Sequence, residues 1–356
     1  MKIFLRALAV IALLALFALP AAATAEDTLR DAVPDSAREM LEGVDLTGDL
    51  ARGVAGIAEN AWSGGAAEGL FSTLRPVLAT ALIIGVLSVW DDALRSPLLH
   101  RTVRAAGCAI TCILLAGGSG SLLGQARAAI EDMTAFSGIF TAVYTAACAA
   151  AGSPGAAMAR QSVAVLISGA FCRLSGAVLL PLAAACALLK SVSAALDAPG
   201  LSHAAGMLKD LMSGALKISL ALYSAYITLS GVIGSAGDTL LKRGVKSGVS
   251  AAIPVVGSAL SEACEAIFAG AAAVRNTVGV MGTLILLGTA LLPLLRMLLW
   301  YAALKVTAAG ASLFASEGVG QAADAAAESM GLMLAITAAD CAVQLIAVFA
   351  GFLTFA

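Results

Sequence analysis

Long apolar runs separated by short charged stretches dominate the chain. Pro76–Trp90 is uncharged for 15 residues, Ala105–Ala126 for 22, Met133–Ala159 for 27 and Ile218–Gly237 for 20. Gln161–Leu189 runs for 29 residues with only Arg173 inside it. Asn276–Leu295 adds 20, and Ser329–Ala356 adds 28 with only Asp340 inside it. A helix needs about 20 apolar residues to cross hydrocarbon, so the pattern predicts seven transmembrane helices. Gly152-Ser153-Pro154-Gly155 should end the third of them early. Ten-residue alternating segments, the mark of a membrane barrel, do not occur.

The charges between the runs place the connections. Arg95, Arg101, Arg104, Arg160, Lys242, Arg243, Lys246 and Arg275 fall in loops on one side, against Arg127, Lys190, Lys209 and Lys305 on the other. Cytoplasmic loops carry the excess of Lys and Arg, which puts the first set and the C-terminus inside. The N-terminal region is then extracytoplasmic. Residues 1–25 read as a signal peptide: Lys2 and Arg6 precede an apolar stretch from Ala7 to Leu19, Pro20 ends it, and Ala23-Thr24-Ala25 offers a cleavage site. Residues 26–69 hold ten acids and three arginines. Their intermittent apolar spacing predicts one or two short amphipathic helices in an acidic outer region, followed by a helix bundle over 70–356.

Composition narrows the classes. The 356 residues are 60% hydrophobic and 12% charged, with a formal charge of −2, where a soluble domain carries about 25% charged residues. That excludes disorder and argues against a soluble α/β enzyme. It also leaves no basic excess to hold a nucleic-acid backbone. The fold class is therefore all-α, a polytopic membrane helix bundle.

Four ionisable residues sit in or beside the apolar runs: Arg173, Lys217, Arg296 and Asp340. A mid-span charge costs at least about 2.5–3.5 kcal/mol on insertion scales. Asp340 has eleven uncharged residues before it and sixteen after, so it should face the bundle interior and pair with one of the three cations. Such a group either fixes helix to helix or belongs to a polar, proton-coupled pathway. Lys217 and Arg296 can also reach the interface. Gly117-Gly118-Ser119-Gly120 resembles the serine motif of intramembrane proteases, but neither histidine, His100 or His203, falls in a span to act as base. The glycines read instead as a helix contact. The seven cysteines lack accompanying histidines and read as packing groups, so no metal and no cofactor is expected. Trp62, Trp90, Trp300 and Tyr301 fall near span ends, as interfacial aromatics do.

The segment 242–282 breaks the pattern. Ile253-Pro254-Val255-Val256-Gly257 is too short to span, and Leu260-Ser261-Glu262-Ala263 follows it. Pro254 removes a backbone donor and Gly257 admits unusual dihedrals. The segment is either a cytoplasmic loop with a Pro-Gly turn or a broken, re-entrant helix around 247–275, which requires burial in protein or a wet cavity. Arg275-Asn276-Thr277-Val278-Gly279 leads into the next run.

This block resembles the stage III sporulation protein AE family of endospore-forming bacteria. The residues that carry the likeness are Ile253, Pro254, Val255, Val256, Gly257, Leu260, Ser261, Glu262, Arg275, Asn276 and Gly279. Arg275 stands where the family has Lys, and Thr277 where it has Ala. The resemblance implies a non-enzymatic membrane subunit of a secretion-like channel complex. That complex sits in the mother-cell membrane around the forespore and supports forespore development. The implied partners are the lipid bilayer and other membrane proteins of the stage III sporulation A operon, including a secretion-type ATPase and ring-forming subunits. Forespore stage II sporulation protein Q is reached indirectly. The competing class is a stand-alone secondary transporter with its substrate site at the broken helix.

Overall fold

The structure is a computed structural model that describes residues 25–63, 75, 79, 82, 86, 122–146, 155–196, 198–252, 257–313 and 317–353. Among the described residues every regular element is helical and no strand occurs. The helices are α1 (25–31), α2 (Asp35–Leu41), α3 (Leu50–Ser63), α4 (122–146), α5 (Gly155–Leu174), α6 (Leu180–Leu196), α7 (Pro199–Ala252), α8 (Gly257–Leu313) and α9 (Glu317–Leu353). A π turn, Ser175–Leu179, joins α5 to α6.

Among the described residues three stretches are long and apolar enough to cross a membrane: Gln161–Ser193, Thr277–Gly310 and Ala323–Val348. They cover three of the seven expected spans. Ile218–Gly237 lies within α7, and Met133–Ala159 is divided between α4, α5 and residues outside the described set. Most of Pro76–Trp90 and Ala105–Ala126 also falls outside the described residues, as do the signal segment 1–24 and Gly117–Gly120.

The expected loops need correction. Arg127 lies inside α4, Arg160 inside α5, Lys190 inside α6, His203, Lys209, Lys242, Arg243 and Lys246 inside α7, and Arg275 and Lys305 inside α8. Lys and Arg are good helix formers. A charge therefore ends an apolar run without ending the helix, and the true connections are far shorter than the hydropathy pattern suggests. Trp300 is another correction. It lies ten residues inside its span and is buried against Leu122, Leu304 and Met330 rather than at an interface.

α8 is the central helix. α9 runs antiparallel to it, with Tyr301 against Gly331 and Lys305 bonded to Asp324. A Cβ on Gly331 would sit 2.9 Å from the Tyr301 ring. On another side α4 brings Phe136, Phe140 and Tyr144 into the core. Their rings follow one another at 6.4 and 5.5 Å, as i, i+4 spacing on one helix face requires. Gly282 of α8 supplies the flat surface for Phe140, whose ring a Cβ there would overlap. Helices in lipid gain little from hydrophobicity against one another, so such close fits are what join them.

Residues 25–63 fold over the same core. Leu29, Ala37, Met40 and Ile57 are fully buried in the cluster that holds Leu284 and Leu286. Leu41 lies against Gly288, and Gly53 against Leu284. Asn60 donates to the carbonyls of Met40 (3.1 Å) and Glu42 (2.8 Å), which satisfies acceptors that the end of α2 leaves free. Gly43 turns the chain there with φ 73°. Asp45 closes the next turn, accepting from Thr47 N–H (3.0 Å), Thr47 Oγ1 (2.9 Å) and Gly48 N–H (3.2 Å). Thr47 holds the Asp45 carboxyl below its ordinary pKa, mainly through its backbone N–H and then its hydroxyl.

The outside of the bundle has two characters. α5, the π turn and α6 expose Leu166, Leu174, Val178 and Leu188, and α7 exposes Leu211 and Leu222. α4 exposes the ion pair Arg127–Glu131 (3.0 Å), and Asp132 beside it accepts from Ser36 of α2 (2.7 Å).

Candidate functional site

Polar side chains run as a seam through the interior, between α5 and the antiparallel α9. On α5 and its π turn, Gln161, Ser168 and Ser175 recur every seven residues, and Cys172 lies one turn above Ser168. On α9, Asp340 and Gln344 are one turn apart. Both spacings put their members on one helix face. All six residues are buried. Gln161 Nε2 donates to the Ala347 carbonyl (3.0 Å). The Ser168 hydroxyl lies 2.9 Å from the Val165 carbonyl and 3.2 Å from Gln344 Oε1, and its one proton serves either. Gln344 Nε2 donates to Cys172 Sγ (3.3 Å) and, weakly, to Thr134 Oγ1 of α4 (3.5 Å). One glutamine therefore ties three helices together.

Asp340 sits at the end of this seam with 0% exposure. Ser175 and Cys172 are the side chains that face its carboxyl. Neither carboxyl oxygen has a hydrogen-bond partner among the described residues, and the Ser175 hydroxyl has none either. The ion pair expected from the sequence is not formed with any of its three candidates. Arg173 is exposed, because one residue beyond Cys172 is about 100° around the helix. Lys217 is exposed on α7. Arg296 is half-buried and donates to Gln125 Oε1 of α4 (3.1 Å).

The π turn has a local cause. Pro181 has no N–H to give the carbonyl four residues back, and its ring would clash with that carbonyl. The preceding turn widens instead, with Leu180 N–H bonding the Ser175 carbonyl. Wide turns of this kind recur at functional sites. Here the turn sets the rotation of Ser175 toward Asp340.

A second polar group closes one end of the bundle. Glu328 of α9 pairs with Lys190 of α6 and with Lys209 of α7 (3.2 Å), and Asp324, one turn earlier, pairs with Lys305 of α8 (2.6 Å). The three lysines that the charge pattern assigned to one side of the membrane thus meet at one end. In the motif segment, α7 ends at Ala252 and α8 starts at Gly257. Ile253, Pro254, Val255 and Val256 lie outside the described residues. Leu260, Ser261 and Glu262 fall in the first two turns of α8, and Arg275, Asn276 and Gly279 farther along the same helix. Among the described residues no group of three His, Cys, Asp or Glu side chains could hold a metal ion.

Sequence reasoning found Asp340 but missed Gln161, Ser168, Ser175 and Gln344. Being uncharged, they vanish into apolar runs. Their seven-residue recurrence was the available signal.

No solved structure matches the chain. Stage III sporulation protein AE of Bacillus subtilis (strain 168) is 24% identical over 242 residues, which cover 65% of this chain and 61% of the relative. The chain thus spans about three fifths of that relative's length. The sequence model of the family described as stage III sporulation protein AE matches residues 66–351. That range includes the whole polar seam and all three candidate spans, and the chain therefore belongs to the stage III sporulation protein AE family.

Proposed function

We propose that this chain is a membrane subunit of a secretion-like channel complex between mother cell and forespore, and that it supports forespore development from the mother-cell membrane. The family match carries the reading. The two-sided exterior supports it. An apolar surface on α5, α6 and α7 suits lipid, while the Arg127–Glu131 and Ser36–Asp132 groups suit contact with water or with other subunits. The partners are the other A-operon membrane proteins, including the secretion-type ATPase and the ring-forming subunits, with stage II sporulation protein Q reached through them. In this arrangement the segment from Ile253 to Gly279 forms part of the contact with the machine, and the seam around Asp340 holds the bundle in register.

Purification of the tagged full chain from sporulating cells tests this reading. The ATPase and ring proteins should come with it, and deletion should stop late forespore gene expression. Purification without those proteins, together with normal forespore expression in the deletion strain, would exclude a channel subunit. Solute uptake by vesicles containing this chain alone would favour the stand-alone transporter instead.

A further inference from the structure

We infer that the Asp340 carboxyl, with the Ser175 hydroxyl at the π turn, is an exchangeable proton site inside the bundle. Three observations lead there. First, Asp340 is completely enclosed, and both its oxygens lack partners among the described residues. An isolated carboxylate in such surroundings is very costly, and a bound cation or a proton removes the cost. Second, the donor set selects the proton. A hard metal cation takes six or more oxygens, whereas the facing groups are one hydroxyl and the Cys172 thiol. A thiol is a poor ligand for such ions, and a proton needs no cage. Third, the Ser175 hydroxyl that faces the carboxyl is also buried and unpartnered among the described residues, and a hydroxyl both gives and takes a proton, so it can relay exchange at Asp340.

The setting favours exchange over a sealed acid. Ser175 opens the π turn, where the regular bonding of the helix is already interrupted. From Cys172 the seam continues through Gln344 to Ser168 and Thr134, a run of groups that both donate and accept. The titratable groups around the site are Cys172 on α5, Cys341 beside Asp340 on α9, and Tyr223 on α7, whose buried hydroxyl lacks a partner among the described residues. The candidate cations are turned away: Arg173 and Lys217 outward, Arg296 toward Gln125.

Infrared spectroscopy of the full chain in lipid vesicles tests the site without reference to any complex. Wild-type minus Asp340→Asn spectra should contain the carbonyl band of a protonated carboxyl. Transfer to D2O should shift that band as the proton exchanges. Dicyclohexylcarbodiimide, which attacks protonated carboxyls from the lipid phase, should label Asp340 and lose that label in Asp340→Asn. The labelling should fall as pH rises and ignore added Na+. Ser175→Ala, which retains Asp340, should move the band by removing its hydrogen bond, and serves if Asp340→Asn does not fold. Absence of the protonated band would overturn the proposal, as would a band fixed in D2O or protection of Asp340 by Na+ at constant pH.

Discussion

Replacing Asp340 by Val separates two physical pictures that differ in magnitude. If the carboxylate were held in a buried ion pair, removing it would strand a cation and cost about 3–5 kcal/mol. In the structure it has no such partner, and both oxygens are buried without hydrogen bonds among the described residues. A buried polar group left unsatisfied costs about 1–3 kcal/mol. Val is close to Asp in volume, although it branches at Cβ rather than Cγ, so its insertion should add little strain. Because the protonated carboxyl also loses the one hydrogen bond it can make with Ser175, Asp340→Val is expected to leave stability within about 1.5 kcal/mol of wild type in either direction. The assay is SDS-induced unfolding of the purified full chain in mixed micelles, followed by tryptophan fluorescence. Heat-resistant spore counts in the same strain should nevertheless fall while the protein level holds, because Val removes the proton site and little else. A loss of about 3 kcal/mol or more would refute the reasoning and restore the ion pair.

Three further outcomes follow from the packing and the polar groups. Gly282→Ala forces a methyl into the Phe140 ring and should cost about 1–3 kcal/mol; Phe140→Leu in the same chain should recover part of that loss, and strictly additive losses in SDS unfolding would contradict the contact. Glu328→Gln leaves Lys190 and Lys209 facing each other without their shared acid and should cost about 1–2 kcal/mol, between the exposed and buried limits for ion pairs; adding Lys190→Met should return part of it in the same assay. Asp45 has a lowered folded pKa, so its contribution to the 45–48 turn is complete above the ordinary value near 3.8 and is lost as pH falls through the lower folded value. Titration followed at the Thr47 amide by NMR should show a midpoint below 3.8, and Thr47→Val should raise it part of the way, since the backbone N–H remains.

The sequence pattern conveyed what depends on hydrophobicity and little of what depends on shape. The runs at Gln161, Asn276 and Ser329 overlap the three candidate spans, though with ends up to 15 residues apart, because the apolar length needed to cross lipid is a one-dimensional property. Helix ends were misplaced because hydropathy registers charge, while helices continue through Lys190, Lys209 and Lys305. The partner of Asp340 was misjudged because pairing depends on rotation about the helix and on competing partners: Arg173 lies about 100° round from Cys172 and Lys217 also faces outward, while Arg296 donates to Gln125. The packing of residues 25–63 on α8 was equally hidden. An acidic composition suggests a solvated segment, yet the burial rests on a few residues, Leu29, Met40 and Ile57, set among the acids.

The architecture also explains why the polar seam can persist in such an apolar chain. Uncharged hydrogen-bonding pairs between membrane helices average only about 0.6 kcal/mol, so Gln161, Ser168 and Gln344 add modestly to binding energy. Their effect is on register: sliding α5 along α9 by one turn would break the bonds to Ala347 and Gln344 together and leave several buried groups unsatisfied at about 1–3 kcal/mol each. At the far end the Glu328 pairs oppose the same slide. Asp340 lies between these two fixed points. A helix pair pinned at both ends holds the widened turn and the Asp340 carboxyl between them in one register.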